Sequence, residues 1–331
     1  MSTRYQPPNH PPNHLIPYKF PAPSDIINSH NNIRSSQSWL FFFERISVMS
    51  KQLIVNADDF GRHILINRAV ERGVAQGLIR SATVMVTGAA FEEAVALARR
   101  TPALGLGIHF TLVNAKPVLP ASDILSLVDP ATGELYPDHG AFVKRFLTGK
   151  IRLQDVQREC TAQLDRFLDT GLVPTHADSH QHMHVLPGII DIILDLCLDH
   201  GIPAVRIPAI PVSLLATRPS NLGEQVGRTG LHVLAERARK KAHTQGIRTP
   251  DHFGGIVAGE AVDKKVLRTI LLHLKEGTTE VMLHPGTSNG ILIPATQWDH
   301  DFEGELDAVT DQEILQLVKD QNITLGNFTD L

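Results

Sequence analysis

Short apolar runs and longer amphipathic stretches follow one another along the chain, which predicts strands and helices in turn. Runs such as Leu53-Ile54-Val55 are typical of parallel strands that are buried on both faces. Stretches with an apolar residue at every third or fourth position are typical of helices that pack one face on a core. The predicted strands cover 53–55, 82–86, 104–112, 175–180, 204–207, 280–284 and 323–325, and the predicted helices cover 64–76, 91–100, 153–168, 188–200, 262–275 and 311–319. Repeated strand–helix units predict an α/β fold with a parallel sheet, either open or closed into a barrel.

Two stretches of the chain do not follow this pattern. Residues 1–48 are rich in proline and asparagine, as in the PPNHPPNH of residues 7–14, and show no hydrophobic period. Such a composition cannot bury enough apolar surface to fold, so we expect residues 1–48 to be a disordered extension and 49–331 to be the folded domain. Residues 213–249 are polar and basic, and no helix or strand is predicted there.

Composition and charge narrow the class of protein. The 31 basic and 35 acidic residues give a net charge of −4, so no positive field attracts nucleic acid or an anionic membrane. No apolar run approaches the roughly 18 residues that span a bilayer, and the two cysteines match no zinc-binding spacing. We therefore expect a soluble cytoplasmic protein, with homodimer formation left open. The 17 histidines are unusually many, and their positions carry the functional argument.

Acidic residues and histidines stand where the predicted strands end. In parallel sheets and in βα barrels, ligands bind at the carboxyl ends of the strands. The candidate residues, in chain order, are Asp58, Asp59, His109, the alternating set from His176 to His184, Arg206 and His284. Because the strand ends meet at one edge of the sheet, these side chains are expected to converge on one site.

The neighbouring carboxylates Asp58 and Asp59 follow the first predicted strand directly. Buried side by side they would repel each other, unless a cation or hydrogen-bond donors compensate. We expect the two side chains to point in different directions, so that one binds a metal ion and the other accepts a proton. The alternative is an Asx turn or a cap for the helix that begins at Ile64.

The set His176, Asp178, His180, His182 and His184 alternates along the fourth predicted strand. Such residues share one face for as long as the strand continues, and imidazole is the commonest nitrogen ligand of metals. The set therefore predicts metal binding or acid–base chemistry, with His180 as the first choice of ligand. His182 and His184 are expected to shape the loop that follows.

The remaining candidates are weaker when each is taken alone. His176, Asp178 and Arg206 are candidates for contact with the substrate, and the first two can instead support the ligands from behind. A single histidine in an apolar strand, such as His109 or His284, is more often structural. These two histidines become functional candidates only because acidic residues and histidines stand at the other strand ends as well.

Four segments, in this order, resemble the YdjC-like carbohydrate deacetylases. They are the LIVNADDFG of residues 53–61, the GxHFxL around His109, the THxDSHxHxH of residues 175–184 and the VMxHP of residues 281–285. The resemblance extends from about residue 51 to the end and is poorest over 212–249. It implies a distorted (β/α) barrel related to the polysaccharide deacetylases, with residues 49–331 as the catalytic domain.

The resemblance also implies a role for each residue of the site. It implies one divalent ion bound by Asp59, His109 and His180, with Asp58 as the catalytic base and His284 as the general acid. Two imidazoles and one carboxylate suit Zn²⁺, Fe²⁺, Co²⁺ or Mn²⁺ better than Mg²⁺. Because the resemblance is also compatible with Mg²⁺, the metal stays open.

The implied reaction is hydrolysis of the acetyl amide of an N-acetylated sugar, such as a chito-oligosaccharide or a related glycoconjugate. Residues 111–120 and 251–254 are similar to the branch associated with hopanoid biosynthesis, so an N-acetylglucosaminyl hopanoid lipid is the alternative substrate. Two other classes stay open. A non-catalytic sugar- or metal-binding protein would not need both Asp58 and His284, and a metal-dependent phosphohydrolase would need a phosphate-binding loop, for which the sequence has no glycine-rich motif.

Overall fold

A computed structural model describes residues 51–209, 222–255 and 261–331. The predicted disordered extension, residues 1–48, lies outside these ranges. Seven parallel strands form a single sheet. Their bounds are β1 Lys51–Phe60, β2 Ser81–Val84, β3 Gly105–Phe110, β4 Ala177–Ser179, β5 His252–Gly254, β6 Gly277–Leu283 and β7 Thr324–Gly326.

Helices connect the strands and cover the outside of the sheet. Their bounds are α1 Ile64–Gln76, α2 Phe91–Arg100, α3 His139–Leu147, α4 Leu153–Leu168, α5 Ile189–Asp199, α6 Leu222–Thr244, α7 Lys264–Leu272, α8 Asn289–Thr296, α9 Phe302–Thr310 and α10 Gln312–Asp320. The predicted helices are all present, and α1, α2 and α4 have the predicted bounds. Helices α3, α6, α8 and α9 were not predicted. None of the helices among the described residues has the length and apolar character needed to cross a membrane.

The sheet is curled into a distorted and incomplete barrel. Its strand order is β4-β3-β2-β1-β6-β5, and β7 pairs with the first half of β1 beside β2. Single bridges, Ala177 to Val205 and Ala204 to Arg248, continue the hydrogen bonding from β4 toward the segment that leads into β5. The predicted α/β barrel is confirmed, while the predicted strand 204–207 is reduced to these bridge positions.

The two faces of the sheet differ in polarity. On β1, Leu53, Val55 and Ala57 pack outward into the main hydrophobic core. The alternate residue Ile54 instead packs with Ala204 and Phe328 in a small separate cluster. The other inward-facing positions of β1 and of its neighbours in the barrel carry polar side chains. These side chains are at most 2% exposed, and they are Asn56, Asp58, Thr83, His109, Asp178, Arg206 and Glu280. Because buried charges require partners, this polar interior is the part of the fold that can carry chemistry.

Gly107 of β3 makes room for the ring of His176. A Cβ atom at position 107 would lie 2.5 Å from His176 Cε1, and that ring is stacked at 3.6 Å on Phe328. We expect Gly107→Ala to lower the free energy of unfolding by about 1–3 kcal/mol, because the ring has no free space to move into. Urea unfolding measures the change. The control is Gly230→Ala on exposed α6, where the added Cβ meets nothing within 4 Å, and equal stability of the two variants would contradict the steric argument.

Candidate metal and acid–base site

The end of β1 directs its two neighbouring carboxylates to different partners. The pairing of β1 with β2 changes register between Ala57 and Phe60, and Asp59 has a φ of 58°, in the left-handed region. Few residues other than glycine, asparagine and aspartate adopt this conformation. Asp58 consequently contacts Arg206, while Asp59 contacts two histidines. The divergence predicted for this pair is present.

The structure brings together the three predicted metal ligands. Asp59 Oδ1 lies 2.9 Å from His180 Nδ1 and 3.3 Å from His109 Nε2. The second carboxylate oxygen, Asp59 Oδ2, accepts a hydrogen bond of 2.7 Å from Arg62. Asp59 Oδ1 and His109 Nε2 are buried and have no hydrogen-bond partner among the described residues. Buried oxygen and nitrogen atoms that face each other without hydrogen bonds fit a divalent ion, because one ion would bind both of them.

The charges around these ligands also favour a cation. Burial alone would lower the pKa of His109, but Asp178 and Asp59 raise it to about 10, so a positive charge on this ring is stabilised. Burial raises the pKa of Asp59, yet His180 and Arg62 hold it well below its usual value. Burial lowers the pKa of His180, which keeps this imidazole neutral and its ligand electron pair free.

Two neighbouring groups of acids and histidines fit a metal ion less well. In the group Asp58, His109 and Asp178, His109 Nδ1 already contacts Asp178 at 2.7 Å and both oxygens of Asp58 bind Arg206. In the group His284, His300 and Glu305, both carboxylate oxygens of Glu305 accept backbone N–H groups. The carboxylate oxygens of Asp58 and Glu305 are therefore committed to other contacts, although both ring nitrogens of His300 have no hydrogen-bond partner among the described residues.

A fully buried arginine holds the predicted catalytic base. Arg206 Nη1 and Nη2 donate to the two oxygens of Asp58, each at 2.6 Å. The same guanidinium lies 2.6 Å from Asp178 Oδ2 and donates from Nε to Glu280 at 2.7 Å. Burial would raise the pKa of Asp58, but Arg206 lowers it well below its usual value. Asp58 is therefore ionised at neutral pH and can accept a proton.

The three predicted substrate contacts are completely buried. His176, Asp178 and Arg206 each have 0% of their surface exposed. The ring of His176 is stacked on Phe328, and burial lowers its pKa to about 3. Asp178 is engaged by His109 and Arg206. This burial argues against direct contact with a substrate and places the three residues behind the site.

The predicted shared face ends with β4 at Ser179. Gln181 and His182 have φ values of 53° and 57°, so the chain turns sharply and the strict alternation is lost. His180 still reaches Asp59. The ring of His184 contacts Ser179 Oγ at 2.7 Å and the carbonyl oxygen of Arg206 at 3.1 Å. The shared face therefore lasts only as long as the strand, as expected, and the contacts of His184 agree with the expectation that it shapes the loop.

The predicted general acid, His284, lies half-buried just after β6. Its backbone N–H donates to Glu305, and its ring meets Trp298 edge-on at a centroid distance of 4.8 Å. Burial lowers the pKa of His284, partly offset by the negative charges of Asp58 and Asp59. Burial thus favours the neutral imidazole, and a proton bound to this ring would be given up readily.

Three charged residues of this region were not predicted from the sequence, namely Arg62, Glu280 and Glu305. Glu280 had a usable signal, because a charged residue in the middle of a buried strand requires a partner. It also lies an even number of residues before His284, which directly follows β6, and so is expected on the same face of the strand. Arg62 and Glu305 gave no such signal, since both lie in polar stretches between strands.

Comparison with known proteins shows the family to which the chain belongs. The family model described as YdjC-like protein matches residues 52–320. A carbohydrate deacetylase of Brevibacillus brevis is 32% identical over 85% of this chain and 99% of its own length. A chitooligosaccharide deacetylase of Enterobacter sp. is 30% identical over 86% of this chain and 100% of its own length. A crystal structure from Enterococcus faecalis V583, of a protein named for cellobiose-phosphate cleavage, is 27% identical with a TM-score of 0.67 and covers 85% of this chain and 98% of that one. The chain belongs to the YdjC-like family.

Proposed function

We propose that this protein is a carbohydrate deacetylase that removes the acetyl group from an N-acetylated sugar. The observation that carries the proposal is the buried group Asp59, His109 and His180, in which Asp59 Oδ1 and His109 Nε2 have no hydrogen-bond partner among the described residues, beside a carboxylate held by Arg206. The relatives named carbohydrate deacetylase and chitooligosaccharide deacetylase support the same reaction class.

The group Asp59, His109 and His180 would hold one divalent ion. When bound, such an ion supplies a Lewis acid that polarises an acyl oxygen and lowers the pKa of water. Arg62 occupies the second oxygen of Asp59, which leaves a single oxygen for the ion. Two imidazoles and one carboxylate suit zinc and other transition metals better than magnesium.

The protein's own residues would move two protons during hydrolysis. Water oxygen forms a bond with the acetyl carbonyl carbon, the C–N bond breaks, and acetate and a free amine leave. Asp58 accepts the proton that water loses, and protonated His284 donates a proton to the departing amine nitrogen. Asp178 orients His109 through its contact with Nδ1. Arg206 orients Asp58, and His176 fills the barrel beneath them.

Release of acetate from N-acetylglucosamine oligomers tests the proposal directly. We expect acetate with a divalent ion added and none after removal of the ion by a chelator. An N-acetylglucosaminyl lipid, assayed in parallel, tests the alternative substrate. If neither substrate releases acetate with Zn²⁺, Co²⁺, Mn²⁺ or Mg²⁺, while sugars still bind, a non-catalytic sugar-binding role replaces the proposal.

Alanine at Asp59, His109 or His180 is expected to reduce the bound metal substantially, because each change removes one of three protein ligands. Metal content per purified chain, measured by mass spectrometry, checks this. The matched control is His300→Ala, which removes another buried histidine, from the neighbouring group. Full metal content in the first three variants, with loss of metal in His300→Ala, would show that the metal binds at His284, His300 and Glu305 instead.

A further inference from the structure

Glu280 is a buried carboxylate that the proposed proton transfers do not use. It lies in the middle of β6, with 0% of its surface exposed. Its Oε1 accepts a hydrogen bond of 2.7 Å from Arg206 Nε. Its Oε2 has no hydrogen-bond partner in the described part of the chain. The hydrogen bond to Arg206 is therefore the contribution that Glu280 makes to the site.

The guanidinium of Arg206 contacts three carboxylates, since its Nη1 also lies 2.6 Å from Asp178 Oδ2. Its two terminal nitrogens bind the oxygens of Asp58 end-on, and Nε on the other side binds Glu280. A guanidinium is a rigid plane with fixed donor directions. Fixing Nε consequently fixes the direction in which the terminal nitrogens present themselves to Asp58.

We propose that Glu280 is a positioning residue for the deacetylation, which orients the guanidinium of Arg206 and through it the carboxylate of Asp58. This inference rests on the proposed function, in which Asp58 is the proton acceptor. Orientation requires an acceptor oxygen at Oε1 and does not require a full negative charge. In keeping with this, burial raises the pKa of Glu280 to about 7 despite the neighbouring Arg206.

Two substitutions separate the acceptor oxygen from the charge. Glu280→Met keeps the length of the side chain but removes the acceptor, and we expect kcat to fall about 10–100-fold with KM and metal content unchanged. Glu280→Gln keeps an acceptor oxygen and is expected to retain kcat within about threefold. Both variants should fold, because Arg206 keeps Asp58 and Asp178 as partners. Equal kcat in the methionine and glutamine variants would overturn the proposal.

Val281→Ala is the matched structural control. Val281 is the next residue on β6, is equally buried and packs outward into the main core. We expect it to lower the thermal midpoint without changing kcat, since it faces away from Arg206. If Val281→Ala lowers kcat as much as Glu280→Met does, the effect of Glu280 is one of general stability and the proposal fails.

A double-mutant cycle with Asp58 tests whether Glu280 acts through that residue. In the Asp58→Asn background, adding Glu280→Met should reduce the residual kcat by less than about twofold, because the group being positioned has lost its function. A further loss as large as in the wild-type background would overturn the positioning role and leave the proposed function standing. Wild-type turnover by Asp58→Asn alone would overturn the role of Asp58 as base, and the inference with it.

Discussion

Asp58→Asn should lower the rate of acetate release by about 10²–10⁴-fold, the usual contribution of a general base, and leave the metal content unchanged. Arg206 keeps the Asp58 carboxylate ionised, so it is ready to accept a proton at neutral pH. Asparagine has nearly the same shape but cannot accept that proton. The metal ligands are not disturbed, because Asp58 points to Arg206 while Asp59 points to the histidines.

Asp155→Asn is a matched control for this prediction. Asp155 is also a buried carboxylate, 1% exposed, and is bound by Arg152 and Arg158 away from the barrel interior. The same chemical change there should leave turnover unaffected. Acetate release at the wild-type rate by Asp58→Asn, with the metal present, would show that another group accepts the proton.

The convergence of the site was predictable because it follows from the geometry of parallel strands. The pair Asp58 and Asp59 is far from His109 and His180 in the sequence, but β1, β3 and β4 all end at one edge of the sheet. Each of these residues stands at or next to a strand end. An apolar run followed by an acid or a histidine was therefore enough to place them together.

The partners of these residues were harder to predict, because they depend on which side chains face the barrel interior. The run Leu53-Ile54-Val55 suggested two apolar faces, whereas the interior above Ile54 is polar. Arg206 was expected to contact substrate because it stands at a strand end. Its three carboxylate partners come from separate strands and were not recognised in the sequence. Only the curled arrangement of the strands shows that Asp58, Asp178 and Glu280 surround one guanidinium.

The helices that the sequence did not predict lack one or another of the usual signals of a helix. The buried residues in the described part of α6 are Ala235, Ala238 and Ala242, which are small and stand among charged side chains. Helix α8 contains an internal proline, Pro294, which argues against a helix in a sequence. Helices α3 and α9 are short, and each follows an aspartate that caps its N-terminus, Asp138 or Asp301. An aspartate before a short segment is easily interpreted as part of a loop.

Arg206→Met is expected to lower the free energy of unfolding at pH 8 by about 3–5 kcal/mol, because it leaves buried carboxylates without their counter-charge. The surface control is Arg100→Met, which breaks an exposed ion pair with Glu71 and should cost at most about 1 kcal/mol. Urea unfolding in the presence of a chelator measures both variants without a contribution from ion binding. Equal losses in the two variants would show that Arg206 is not needed to balance the interior charges.

The loss in Arg206→Met should shrink as the pH falls from 8 to 6. In the wild type, Arg206 holds the pKa of Asp58 below its usual 3.8, so the stability from this carboxylate is present above that pH and is lost only in stronger acid. The pKa of Glu280 is raised to about 7, so its protonation already favours the folded wild type over this range. Without Arg206, the pKa values of Asp58 and Asp178 also rise above their unfolded values, and folding then gains stability as each takes up a proton. A deficit that stays constant between pH 8 and pH 6 would contradict this account of the buried charges.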